Sequence, residues 1–214
     1  MRCPACRHPA LEHDQVCSRC GFSLEALAQK MGVAPTLTVP LADQARVMTS
    51  HDRRQALDAA QTLHRRFPQL SFAAVLAELS PEVPLPLHAF WLFNRGSLFS
   101  AVERGGDNHG VLLLVDPETR QAVSMIGYGL EPFVNPQVLE VCLAAASASL
   151  MKGLWGAAIG AFVRELERQL LTVAEGLPRA FGYDEELPWT DASAPVPHGN
   201  LAKDAVARDP GDLY

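Results

Sequence analysis

Positive charge is scarce in this chain: 18 Lys and Arg stand against 24 Asp and Glu over 214 residues, a net charge of −6. That balance argues against a general nucleic-acid binder held by a basic face. Aromatic residues are few, and the one stripe they form, Phe90, Trp91 and Phe93, reads as core rather than as a stacking platform. No run of about 18 uninterrupted apolar residues exists, which argues against a membrane span. The first ten residues contain no apolar signal region, so the expected location is cytoplasmic. The motifs G-x-S-x-G, H-E-x-x-H, G-x-G-x-x-G, the P-loop and the zinc-deaminase set are all missing, and with them the chemistries they carry. Cysteine is scarce too, yet four of the five cysteines fall within the first 20 residues. Clustering of that kind points to a metal rather than to disulfides spread over a secreted fold.

Cys3 and Cys6 form one C-x2-C pair, Cys17 and Cys20 a second, with ten residues between them. Two thiolates three positions apart grip one ion from a tight turn, because the turn's backbone amides point at the sulfurs. Two such turns supply the four tetrahedral ligands of a structural zinc. Gly21 suits the backbone turn that closes the second knuckle. Two disulfides are the other reading of this spacing, and one that reducing thiols disfavour. Iron held as in rubredoxin is a further alternative, and His8 and His13 are spare ligands between the pairs. A four-cysteine site is closed to substrate, so this ribbon, residues 1–31, is expected to dock a protein or cap a domain rather than to catalyse.

Ser23 to Lys30 reads as a short helix with Ser23 as its N-cap, and residues 32–40, with two prolines and a glycine, as a linker. Residues 41–175 form the main body. Leu57, Ala60, Leu63 and Phe67 recur at helical spacing; Leu70 to Leu79 reads as a buried strand; His88 to Phe93 reads as a second helix. Gly110 to Val115 is the strongest strand, with Asp116 to Thr119 as its turn and Gln121 to Ile126 as its hairpin partner. Two apolar helices follow, over 136–150 and 154–173. Residues 176–214 carry five prolines and seven acidic against three basic residues, and read as an extended, disordered acidic tail. The expected architecture is an α/β three-layer sandwich, a small sheet covered by helices, with the ribbon attached.

Three segments of the body carry a resemblance. Leu41 to Thr49 includes Asp43 and Ala45 in a D-x-A pattern ahead of a helix; Asp107 to Val115 resembles a D-N-G-V-L-L-L strand; Gly127 to Glu131 reads G-Y-G-L-E. Together they resemble the TPM domain, over about residues 40 to 173. The family includes thylakoid-lumen proteins of photosystem II repair. The resemblance implies a three-layer sandwich and, for some members, divalent-cation binding and acid phosphatase activity. His109 is inserted in the second segment, and Leu154 stands where a later family segment has an acidic residue.

Read without the family, Asp43, Asp107 and Glu131 lie in loops next to strands, where α/β sheets place ligands. Converging there, they would hold Mg2+ or Ca2+ and polarise a phosphoryl oxygen, with Asp107 and Asp43 as the catalytic pair and Glu131 as a further cation ligand. The plainer reading is that the aspartates cap turns and Glu131 is solvated. Cys142 reads as a small buried hydrophobe. Two functions follow: an adaptor that binds another protein, or a cation-dependent phosphomonoesterase.

Overall fold

In a computed structural model of the chain, the described residues are 2–11, 14–96, 98–99 and 108–180, with side chains described to residue 175. The chain divides into two compact units, Met1–Gly176 and Leu177–Tyr214. The expected tail falls almost wholly outside the described residues.

The first unit is an α/β three-layer sandwich around a four-stranded sheet. The strands are β1 (Leu41–Asp43), β2 (Ser71–Leu76), β3 (Gly110–Asp116) and β4 (Gln121–Ile126), and they lie in sequence order. The pairs β1–β2 and β2–β3 are parallel, and β3–β4 is antiparallel. The helices are α1 (Leu24–Met31), α2 (Ser50–Arg66), α3 (Leu85–Arg95), α4 (Pro136–Met151) and α5 (Trp155–Ala180). The last helix runs past Val173, its expected end. Among the described residues no helix is long and apolar enough to cross a membrane.

The run of Val and Leu in β3 is explained by helices on both faces, which leave every residue of the strand buried. Val111, Leu113 and Val115 pack with Ala56, Ala60 and Leu63 of α2 and with residues of α4 and α5, among them Cys142 and Phe162. Leu112 and Leu114 point the other way, to Trp91, Leu92 and Phe93 of α3 and Leu27 of α1. The hairpin turn between β3 and β4 is closed by Asp116, whose carboxylate accepts from the Glu118 amide at 3.0 Å and the Thr119 hydroxyl at 2.9 Å.

The connections β1–α2–β2 and β2–α3–β3 step in the same direction across the sheet, yet α2 and α3 cover opposite faces. The two crossovers therefore have opposite hands, and one of them is of the uncommon left-handed kind.

The start of α2 is pinned to the start of α5 by one carboxylate. Asp52 accepts from the amide and hydroxyl of Thr49, completing a capping box, and from the Gly156 amide at 3.0 Å. Burial works against the Asp52 charge. The Thr49 hydroxyl and the amides of Gly156 and Thr49 outweigh it and hold the carboxyl below its usual range. This stabilisation is therefore complete above the ordinary carboxylate value and is lost as pH falls through the depressed folded one. Asp52→Asn should cost about 1 kcal/mol at neutral pH. Melting the two proteins from pH 7 to pH 3 should show their difference shrinking towards the acid end.

Candidate metal centre and adjoining cleft

The two C-x2-C turns fold as copies of one hairpin. The Cys3 amide donates to His8 O and the Arg7 amide to Cys3 O; in the second turn Cys17 donates to Phe22 O and Gly21 to Cys17 O. Arg7 and Gly21 occupy equivalent positions, with φ of 61° and 71°. Glycine at the second of these was the legible signal; the first asks the same left-handed conformation of an arginine.

These hairpins bring the four sulfurs within 4.8 Å of one another. Cys3 Sγ lies 3.8 Å from Cys20 Sγ, and Cys6 Sγ lies 3.7 Å from Cys17 Sγ. Four thiolates held at the zinc–sulfur bond length have tetrahedral edges of about 3.8 Å, so the residues fit one zinc ion. All four cysteines are free rather than paired in disulfides. The amides of Cys20 and Arg19 pull the Cys17 thiol down to about 6. At Cys20 the Phe22 amide favours the thiolate, but burial and the three neighbouring sulfurs push the thiol up to about 12. Anions crowded at this distance repel one another, and a divalent cation at the centre reverses that repulsion. A metal held by all four cysteines would tie the knuckles together and leave no position open for substrate.

The ribbon rests on the body. Phe22 meets Phe90 of α3 edge-to-face at 5.6 Å, and Glu25 pairs with Arg95 at the end of the same helix. Leu27 and Leu37, 6% and 5% exposed, join the core on the α3 side of the sheet. Two adjoining cavities of about 400 Å3 each open between ribbon and body, sharing Cys3, Pro4, Phe90, Asn94 and Tyr128 in their walls.

The further cavity also reaches Asn108, Gly127 and Glu131, residues of two of the singled-out sequence segments. Those segments are packed on one another. The Gly129 amide donates to Asn108 O at 3.1 Å, the Gly127 amide to Gly110 O at 2.9 Å, and Asn108 Oδ1 accepts from the Gly110 amide at 3.0 Å. A Cβ added to Gly127 would stand 2.2 Å from Asn108 O. Gly127 thus permits the close approach of the G-Y-G turn to Asn108.

Convergence of the three loop carboxylates was the other expectation. Asp107 lies outside the described residues. Asp43 and Glu131 are not brought together. Asp43 ends β1, level with Leu76 of β2 and Val115 of β3. Glu131 follows β4, which returns the chain to Gly110 at the opposite end of β3. Gly110 to Val115 spans roughly 16 Å at strand rise, so the sheet stands between the two carboxylates. Asp43 is also committed locally. Its side chain is fully buried and accepts from the amides of Val47 and Met48 at 3.1 Å and from Arg53 at 2.7 Å. Asp43 thus caps the turn that follows β1, and Cys142 is fully buried at 0% exposure.

The chain matches no protein-family profile, and no curated protein sequence matches it either. Among the solved structures it is similar to are three determined by NMR. The N-terminal domain of a protein from P. gingivalis is 17% identical, with TM-score 0.49, over 63% of this chain and 83% of that one. The BA42 protein from Bizionia argentinensis is 16% identical, with TM-score 0.47, over 59% and 83%. The N-terminal domain of the cg2496 protein from Corynebacterium glutamicum is 16% identical, with TM-score 0.46, over 64% and 84%.

Proposed function

We propose that this protein is a cytosolic interaction module, a TPM-like sandwich whose structural zinc ribbon forms, with the sheet's edge, a cleft that docks another protein. The observation that carries the reading is the fate of Asp43. Its carboxylate meets three internal donors and lies across the sheet from Glu131, which leaves a phosphatase cation site short of ligands. The ribbon adds a second support, because it seats beside the Gly127–Glu131 turn, whose Tyr128, 38% exposed, stands in the cleft wall. Four reduced cysteines in chelating geometry suit a reducing compartment.

The phosphomonoesterase reading retains one point in its favour: Glu131 lies at the same sheet end as Asn108, the residue after Asp107. One experiment separates the two. Zinc-loaded full chain is incubated with p-nitrophenyl phosphate in Mg2+, Ca2+ or Mn2+, and each cation is titrated calorimetrically. The interaction module should hold one zinc, show no second saturable cation site and release phosphate at the rate of the Asp107→Ala protein. Cation-dependent turnover abolished by Asp107→Ala would make the chain an enzyme.

A further inference from the structure

A cavity of about 650 Å3 lies far along the chain from the cysteines, between the last turn of α2 and the start of β2. Its volume falls in the range of small-molecule sites. The floor is apolar: Leu70, Phe72, Leu98 and Phe99 line it, each between 3% and 7% exposed. The rim carries one fixed positive charge, because the exposed Arg65 borders the opening beside His64 and no Asp or Glu lines it among the described residues.

Charge compensation distinguishes this rim from the surface beside it. Arg66 pairs with Glu167 at 2.8 Å. Arg65 holds only the Thr62 hydroxyl, at 3.1 Å, and meets no carboxylate among the described residues. An apolar floor bordered by an unneutralised guanidinium is complementary to a molecule with an apolar body and one anionic head. A carboxylate is the natural head, since it takes two parallel hydrogen bonds from a guanidinium.

We infer that this groove binds a free medium-chain carboxylate, its chain over Leu70, Phe72, Leu98 and Phe99 and its head on Arg65. The site lies outside the ribbon cleft and does not depend on the docking role given to that cleft.

The test is calorimetric titration of zinc-loaded full chain with octanoate, decanoate and decanol, all below their aggregation concentrations. Decanoate should bind saturably with 1:1 stoichiometry and roughly 15-fold tighter than octanoate, as two further buried methylenes require. Arg65→Glu should weaken decanoate by roughly tenfold or more and leave decanol unchanged. Arg65→Gln should repeat the loss without reversing charge. Because Arg65 is exposed, both variants should melt with wild type. Absence of saturable binding, decanol binding as tightly as decanoate, or indifference to Arg65 would each overturn the inference. Association with decanoate-containing vesicles but not with the monomer would overturn it in favour of a membrane surface.

Discussion

Cys3→Ser protein should bind no zinc at neutral pH, where the wild-type chain should bind one ion, and its main melting transition should fall by roughly 6–12 °C. The first outcome follows from the ligand set, since Cys3 is 2% exposed and one edge of the sulfur cluster is its contact with Cys20. The second follows from the seating of the ribbon. Without the metal the knuckle hairpins have almost no core of their own. Phe22 then leaves Phe90, and the packing of Leu27 beside Val75 and Leu112 loosens. Two such side chains are worth about 1.5–3 kcal/mol each when fully buried, of which about 3 kcal/mol in all should appear as lost stability. Atomic emission and calorimetry of the same samples provide both readings. Cys142→Ala is the control: that thiol is fully buried and pushed up to about 12, first by burial, so the variant should keep its zinc. A low-temperature transition confined to the ribbon, with the main one unmoved, would show the ribbon to be energetically separate.

Gly127→Ala should destabilise the domain by about 3 kcal/mol or more, at the upper end of overpacking costs. The new Cβ would stand 2.2 Å from Asn108 O and 2.3 Å from Asn108 Oδ1. Neither atom can yield freely. Asn108 is 6% exposed, its backbone carbonyl accepts from Gly129, and its side chain accepts from Gly110 at the head of β3. Relief would require β4 and the turn after it to move away from β3. Gly160→Ala is the informative comparison. There the added Cβ meets only the end of Arg164, at 3.0 Å, and alanine favours the helix by up to about 1 kcal/mol. Urea unfolding of both variants should therefore give shifts of opposite sign, or a loss for Gly127 beside no change for Gly160.

Much of this fold is legible in the residues because its signals are local. The cysteine spacing announces the hairpin pair, the Val and Leu run over 111–115 announces a strand covered on both faces, and Asp116 to Thr119 announces the turn after it. What escapes is set by pairing between distant segments. β1 is three residues long, too short for any alternation, and it becomes a strand only because Leu41 to Asp43 pair with Ala74 to Leu76. Missing it hides the direction in which Asp43 points along the sheet, so Asp43 and Glu131 look like neighbours when they lie at opposite ends. The seat of the ribbon is illegible for the same reason: Phe22 and Phe90 are unremarkable apolar residues until α1 and α3 are side by side.

The opposite hands of the two crossovers leave a mark at the far end of the sheet. Where neighbouring strands send their chains to opposite faces, an open α/β sheet parts into a crevice, the usual berth for a ligand. Here that crevice falls between the ends of β1 and β2, and the chain has sealed it. Both Gln44 and Ala45 donate their amides to Leu76 O, and the Asp43–Arg53 ion pair closes the remaining gap. A guest entering there would have to break this stitching and leave a buried carboxylate unpaired.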